Sequence, residues 1–357
     1  GHYRIAHTRT QLGFPEVKLG LLPGSLGTQR LPRLIGIARA LTMISGGNSI
    51  DAAQGLEWGL IDALSEDDAV TAGVSYAESL LKQGAGVRPA SAQVLAADEA
   101  SAILQQAKDQ AQLRARFYPA APAIVACLEA ARLPFEQGEA IEARLFETLR
   151  ASPQSRALRH LFFAQRQAAR VPHLSKDQAL RAIRQVGVLG AGTMGRGIAM
   201  NFLNAGLPVM LVEQAPEALD AALMAIRQVY EASAARGKLA AADLEQRMGL
   251  LTGALNDSAM ANCDLVIEAV FEDMALKKQI CARLGEICKA GAIIATNTST
   301  LDVDDLAAAS KRPQDVVGMH FFSPAHIMRL LEVVRGERTD PVVLATVMQL
   351  ARTIDKV

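Results

Sequence analysis

The stretch RQVGVLGAGTMGRGIAMNFLNAGLPVMLVEQ, residues 184–214, constrains the fold of this 357-residue chain more than any other feature. Gly190, Gly192 and Gly195 follow the spacing G-x-G-x-x-G between a short apolar run and a helical run. The first glycine of such a motif permits a tight turn, the second lets a phosphate approach the backbone, and the third lets a helix pack closely on a strand. The stretch therefore predicts a βαβ unit, the building block of a parallel sheet.

Three later apolar runs continue this alternation of strand and helix, namely DLVIEAV, AIIATNT and DVVGMHFF. They predict a mostly parallel, doubly wound sheet of the Rossmann type, covered by helices on both faces. Glu213 ends the second strand, where an acidic residue can accept hydrogen bonds from the adenosine ribose. A carboxylate there repels a 2′-phosphate, so we expect the cofactor NAD rather than NADP. The alternative is a glycine turn in an unrelated α/β domain.

Composition and charge limit the partners of the chain. The 37 Lys and Arg residues balance the 37 Asp and Glu residues, so we expect no nucleic-acid partner. No apolar run approaches the roughly 20 residues that span a bilayer, so no membrane span is expected. The cysteines lack the spacing of metal ligands, so we expect reduced thiols and no metal site. Oligomeric state is not indicated.

Two segments precede the sheet. Residues 1–85 mix strand-like pieces with loops and helices, and residues 86–180 show almost no β pattern. The second segment predicts packed helices that join two domains, with a coiled coil or partner-binding helix as the alternative. In the first segment we expect one helix after Pro23-Gly24 that ends at Gly46-Gly47 and has one apolar face (Leu34, Ala38, Leu41 and Ile44). A following helix is expected to be capped by Ser49, with Asp51 in its first turn.

Four stretches resemble the NAD domain of the L-3-hydroxyacyl-CoA dehydrogenase family: GVLGAGTMGRGIA, DLVIEAVFEDMALKK, TNTSTL and GMHFFSPAHIMRLLEVV. The resemblance implies that His320 is the base that takes the hydroxyl proton of the substrate and that Glu332 orients the imidazole of His320. It also implies that Ser299 contacts substrate and cofactor. A structural histidine and a helix-capping serine are the alternatives. The cofactor contacts implied by the resemblance are Gly190, Gly192, Met194, Gly195, Glu213, Ala269, Glu272, Lys277 and Asn297.

The front segment resembles the second half of the enoyl-CoA hydratase/isomerase (crotonase) domain through LGFPEVKLGLLPGSLGTQRLPRLIG and SIDAAQGLEWGLID. The resemblance implies that Glu16 is one of two catalytic carboxylates, the proton donor. Leu26 stands where the family often has glycine. The second carboxylate and the oxyanion-binding N–H groups belong to family segments that precede HYRIA. In the dehydrogenase family, an active-site asparagine and a helical domain follow the position of Val357.

We therefore expect an α/β chain with a partial crotonase-like domain (1–85), a helical linker (86–180) and a Rossmann-type NAD-binding domain (181–357). This order resembles the multifunctional fatty-acid β-oxidation enzymes of bacteria and peroxisomes. It implies acyl-CoA thioester substrates, hydration of trans-2-enoyl-CoA and NAD-dependent oxidation of L-3-hydroxyacyl-CoA. The expected location is the bacterial cytoplasm or, in a eukaryote, the peroxisome.

The chain is expected to be a fragment truncated at both ends, with weak or no turnover of its own. Two other functions are open at this point. One is a non-catalytic NAD-binding or assembly module. The other is a stand-alone dehydrogenase for a small 3-hydroxy acid.

Overall fold

The computed structural model describes residues 2–95, 100–172, 174–175 and 177–357, with the main chain alone at residue 114. The chain divides into two compact units, residues 1–167 and 168–357. Within the described ranges, no helix is long and apolar enough to cross a lipid bilayer. No three His, Cys, Asp or Glu side chains of these same ranges gather as metal ligands.

The first unit is mainly helical, with two small two-stranded sheets. Its strands are β1 (Ile5–His7), β2 (Gln11–Gly13), β3 (Ser49–Asp51) and β4 (Ala63–Ser65). Its helices are α1 (Gly27–Ile35), α2 (Ile37–Gly46), α3 (Ala52–Glu57), α4 (Ala69–Lys82), α5 (Ser101–Arg114), α6 (Ala120–Ala130), α7 (Phe135–Ala151) and α8 (Pro153–Ala168). A 3₁₀ turn at Pro15–Leu19 precedes α1. β1 pairs with β4 in parallel, and β2 pairs with β3 in antiparallel fashion.

One hydrophobic core holds the first unit together. Leu31 and Ile37 of α1 and α2 are buried in the same cluster as Ile124 and Leu128 of α6 and Leu149 of α7. The helices predicted for residues 86–180 thus include α6 and α7, which pack onto the front segment. The structure thus has two compact units. The three-part division into residues 1–85, 86–180 and 181–357 remains a prediction.

The helix expected between Gly24 and Gly46 is in fact two helices. Gly36, at φ +82°, separates α1 from α2. This break shifts the helical phase, so Ala38 of the predicted apolar face is exposed. The predicted stop is confirmed, because α2 ends at Gly46 with a left-handed Gly47.

The cap of the next helix also differs from the prediction. Asp51, rather than Ser49, caps α3, and its carboxylate accepts the N–H of Gln54. Ser49 lies in β3 instead. Helix α8 is capped by Ser152, whose Oγ accepts the N–H of Ser155.

The second unit is a seven-stranded sheet with helices between its strands. Its strands are β5 (Val186–Leu189), β6 (Val209–Val212), β7 (Leu251–Ala254), β8 (Leu265–Glu268), β9 (Ile293–Thr296), β10 (Val316–Phe321) and β11 (Leu331–Val334). Its helices are α9 (Thr193–Asn204), α10 (Pro216–Ala235), α11 (Ala241–Gly249), α12 (Met274–Ile287), α13 (Val303–Ala309) and α14 (Pro341–Thr353).

The strand order is β11-β10-β9-β8-β5-β6-β7. Neighbouring strands are parallel from β7 to β10, and only β11 runs antiparallel, beside β10. The predicted doubly wound parallel sheet is therefore confirmed. The chain leaves β5 towards β6 and later returns to its other side with β8, which makes the end of β5 a switch point where such folds bind ligands. The edge strand β7 was not predicted, because the sequence LTGA carries little apolar signal.

Candidate active site

The glycine turn of the second unit lies at the carboxyl end of β5. Gly190 has φ +97°, and a Cβ there would lie 2.8 Å from the carbonyl oxygen of Ala269. A Cβ on Gly195 would lie 1.8 Å from the carbonyl oxygen of Gly190. Only glycine fits at these two positions, so strand, turn and helix pack as the motif predicts.

Gly192 is the N-cap residue of helix α9, and the space around it is open. No heavy atom lies within 4 Å of a Cβ built on it, and the 12-residue helix α9 starts at the next residue. The N-terminus of a helix carries free N–H groups and partial positive charge, which bind phosphate. The turn therefore fits a pyrophosphate group. Met194, in the first turn of α9, is half-buried and packs against the core of the sheet.

Glu213 follows β6 beside the glycine turn. Its carboxylate accepts the N–H of Ala191 at 3.0 Å and that of Gln214 at 2.8 Å. Glu213, the glycine turn and Ala269 line a cleft of about 370 Å³. A carboxylate has about four acceptor sites, so two backbone bonds leave capacity for a ribose hydroxyl. The cleft thus fits the adenosine half of a dinucleotide.

A buried ion pair lies behind this edge of the sheet. Lys277 of α12 and Glu268 at the end of β8 are 1% and 0% exposed. The ammonium of Lys277 donates to both Glu268 oxygens, at 2.9 and 2.8 Å, and the hydroxyl of Thr296 donates to the same carboxylate. Burial raises the pKa of Glu268, and the charge of Lys277 opposes that rise. Glu268 was not predicted as a functional residue, although a carboxylate at the end of an otherwise apolar strand is a signal for one.

Lys277 also connects to the loop after β9. Its ammonium lies 3.4 Å from Glu272. Glu272 accepts hydrogen bonds from the hydroxyl of Thr298 at 2.6 Å, and from the N–H and hydroxyl of Ser299 at 2.9 and 3.3 Å. Burial alone would raise the pKa of Glu272, but these bonds and Lys277 hold it below its ordinary value. Predicted residues Glu272, Lys277 and Ser299 thus form one connected network.

Asn297 ties the end of β9 to β10. Its side-chain oxygen accepts the N–H of Phe321 at 2.8 Å. Phe321 directly follows His320, so this bond fixes the backbone next to the histidine. In this structure Asn297 therefore positions the main chain of β10, and its predicted contact with the cofactor remains a prediction.

His320 and Glu332 are brought together by the β10–β11 hairpin. They are direct cross-strand partners in the antiparallel register, and His320 Nδ1 lies 2.9 Å from Glu332 Oε2. An ionised carboxylate can only accept a hydrogen bond, so Nδ1 carries the proton and the Nε2 lone pair is free. The ring of Phe322 lies 4.5 Å from the imidazole, centroid to centroid. The pair has the geometry of a base with its orienting acid.

Glu16 lies in the first unit, on the 3₁₀ turn before α1. It is half-buried, and its Oε2 is buried without a hydrogen-bond partner among the described residues. A buried, unsatisfied carboxyl oxygen is costly unless something else binds it.

Two family models match parts of the chain. Residues 185–357 match the family model "3-hydroxyacyl-CoA dehydrogenase, NAD binding domain", and residues 2–136 match "Enoyl-CoA hydratase/isomerase". The two matches follow one another along the chain, and each lies within one of the two compact units.

Several curated relatives match along the whole chain. It is 41% identical over 368 residues to the peroxisomal bifunctional enzyme of Cavia porcellus, covering 100% of this chain and 50% of that protein. It is 39% identical over 365 residues to the human protein of the same name, with the same coverage. Identity to the peroxisomal fatty acid beta-oxidation multifunctional protein of Oryza sativa subsp. japonica is 38% over 365 residues, again with the same coverage. The chain spans about half the length of the curated relatives it matches.

Proposed function

We propose that the native protein oxidises L-3-hydroxyacyl-CoA thioesters to 3-ketoacyl-CoA with NAD, and hydrates trans-2-enoyl-CoA to supply that substrate. The observation that carries the first half is the 2.9 Å contact between His320 and Glu332. His320 is in β10, the strand that follows Asn297 and Ser299 along the chain, and this part of the chain matches an NAD-binding domain family. For the second half, the support is Glu16 with its unpartnered carboxyl oxygen inside a hydratase/isomerase segment.

Oxidation of a secondary alcohol requires a base at the hydroxyl proton. The turn at Gly190, Gly192 and Gly195 would hold NAD, and bound NAD would supply the acceptor for the hydride of the alcohol carbon. His320 Nε2 accepts the hydroxyl proton, and Glu332 stabilises the imidazolium that results. Ser299, held by Glu272, hydrogen-bonds the substrate oxygen.

The cofactor-binding residues follow from the same proposal. Gly190, Gly192 and Gly195 shape the pyrophosphate site, and Glu213 binds the adenosine ribose. Met194, Ala269, Asn297 and the Glu272–Lys277 pair line or support the remainder of the NAD site. Hydration of the enoyl-CoA uses Glu16 as proton donor to the α-carbon.

The segment boundaries and the location are also proposed. Residues 1–85 belong to the hydratase, 86–180 link the two activities, and 181–357 bind NAD. In a eukaryote the location is the peroxisome, as the names of the relatives indicate. The bacterial cytoplasm remains the prediction for a bacterial source.

The test is substrate specificity of the full-length native protein. We expect NADH formation from L-3-hydroxybutyryl-CoA, with a kcat/KM at least about 100-fold above that for free 3-hydroxybutyrate, because the thioester brings binding energy from its CoA portion. We also expect hydration of crotonyl-CoA. Equal kcat/KM for the free acid and its CoA ester would contradict the assignment of an acyl-CoA dehydrogenase.

A further inference from the structure

One face of α7 lies against the start of α1. Gly138, Glu142 and Phe146 are four residues apart along α7 and share that face. A Cβ on Gly138 would lie 2.0 Å from Oε1 of Gln29 in α1, so the missing side chain permits a close approach. A Cβ on Gly24 would lie 3.6 Å from the Phe146 ring. The α7 face therefore contacts both the turn before α1 and its first residues.

Glu142 supplies the cap of α1 from a distance in sequence. Its carboxylate, in a side chain only 3% exposed, accepts the N–H of Leu26 at 2.7 Å and that of Thr28 at 3.1 Å. The hydroxyl of Thr28 also donates to it. Leu26 occupies the N-cap position, where its apolar side chain cannot accept these bonds. Burial raises the pKa of Glu142, and the three hydrogen bonds oppose the rise.

The turn that Glu142 holds has an unfavourable backbone conformation. Ser25 and Leu26 have φ of +53° and +66°. These values lie in the left-handed region, which residues other than glycine rarely adopt. Such a conformation persists only where surrounding contacts hold it. The bond from Leu26 to Glu142 is such a contact, at the position where the hydratase family often has glycine.

The same turn packs against the segment that carries Glu16. A Cβ on Gly27 would lie 3.1 Å from the ring of Phe14 and 2.8 Å from Pro23. Phe14 is two residues before Glu16, and the carbonyl oxygen of Glu16 accepts the N–H of Leu21 at 3.0 Å. A shift of the turn therefore moves the backbone that places the Glu16 carboxyl group.

We propose that Glu142 is a positioning residue for the hydratase reaction. Its carboxylate holds residues 23–28 in the geometry that directs Glu16 at the substrate. This inference rests on the proposed hydratase function. It gives helix α7, which lies outside the segment that carries Glu16, an indirect role in the hydration step.

The experiment uses the full-length native protein with Glu142→Ala, Glu142→Gln and the control Glu139→Gln, which changes an exposed carboxylate on the same helix. We expect Glu142→Ala to lower kcat for crotonyl-CoA hydration by about 100-fold, as expected for a displacement of about 1 Å. Glu142→Gln keeps one acceptor oxygen and is expected to lose about 10-fold. The KM for crotonyl-CoA should change less than about 3-fold, and NADH formation from L-3-hydroxybutyryl-CoA should stay unchanged.

Three results would contradict the inference. One is hydration by Glu142→Ala within about 2-fold of the unsubstituted protein. Another is a parallel loss of dehydrogenase activity, which indicates general misfolding; should Glu142→Ala fail to fold, the same two criteria apply to Glu142→Gln. Absence of hydration by the unsubstituted protein would instead overturn the proposed hydratase function together with the inference.

Discussion

At the scale of single residues, the proposed mechanism depends on which ring nitrogen of His320 carries the proton. The proton on Nδ1 points at Glu332, 2.9 Å away, which leaves Nε2 as the acceptor. A neutral side chain at position 332 would hold the ring less firmly and would not compensate the charge of an imidazolium. In the proposed mechanism the carboxylate therefore acts through the histidine.

We predict that Glu332→Gln lowers kcat for NAD reduction by about 100-fold or more, because the orienting charge is lost while the side-chain size is kept. NAD affinity should change little. Steady-state kinetics with L-3-hydroxybutyryl-CoA measures this. The control is Glu337→Gln, the same change at an exposed carboxylate five residues along the chain. Equal rates for both variants would argue against the role of Glu332.

At the same scale, the proposed function assigns the choice of cofactor to Glu213. We predict that Glu213→Ser weakens NAD binding by about 10-fold or more, since charged hydrogen bonds to the ribose are lost. The preference for NAD over NADP should narrow, because the repulsion of a 2′-phosphate disappears. Titration calorimetry with both cofactors tests this, with exposed Glu217→Gln as control. An unchanged NAD to NADP affinity ratio would contradict the assignment.

At the scale of elements, the carboxyl end of the inner strand β8 is held to helix α12 by the buried ion pair of Glu268 and Lys277. Lys277 neutralises Glu268, whose side chain is fully buried. Removing one partner of such a pair leaves an uncompensated buried charge, which costs about 3–5 kcal/mol. Lys278, the next residue, pairs with Asp305 on the surface, with side chains 41% and 56% exposed.

We therefore predict that Lys277→Met destabilises the NAD-binding domain by about 3–5 kcal/mol, and Lys278→Met by less than about 1 kcal/mol. Burial raises the pKa of Glu268, so stability of the Lys277→Met variant is retained at low pH, where Glu268 is protonated. It is lost as pH rises through the raised pKa of the folded state. Thermal unfolding at several pH values measures both the loss of stability and its pH dependence. The transition to follow is the one whose midpoint rises when NAD is added. A loss that grows towards acid pH would contradict the sign.

The sequence predicted the elements of the second unit better than those of the first. Strands β5, β6, β8, β9 and β10 are apolar on both faces, which is a strong local signal. The pairing of Glu332 with His320 was expected from the family resemblance, and the β10–β11 hairpin brings the two side chains together. Glu268 was overlooked, because its partner Lys277 lies on another element and no local pattern connects them.

In the first unit, tertiary contacts overrode local signals. Gly36 divides what the apolar pattern presents as one helix, and Asp51 replaces Ser49 as a cap. Glu142 lies 114 residues from Thr28 in sequence, so its capping role has no signature near α1. Long-range polar contacts of this kind become visible only in a structure.

At the scale of the whole molecule, the residues proposed for the two activities lie in separate compact units. A change at one carboxylate of the first unit should therefore leave the chemistry of the second intact. We predict that Glu16→Gln lowers crotonyl-CoA hydration by about 100-fold or more, because a group that acts in the transition state is lost. NADH formation from L-3-hydroxybutyryl-CoA should remain within about 2-fold. Coupled assays on one preparation compare the two rates, and equal losses in both would contradict independent sites.

The most direct test of the account is the rate of NAD reduction by His320→Gln in the full-length native protein. With L-3-hydroxybutyryl-CoA we predict that kcat falls by about 100- to 10,000-fold, the contribution of general acid–base catalysis. The Kd for NAD, measured on the same preparation, should stay within about 3-fold. A variant that reduces NAD at the rate of the unsubstituted protein would contradict His320 as the base and with it the proposed mechanism.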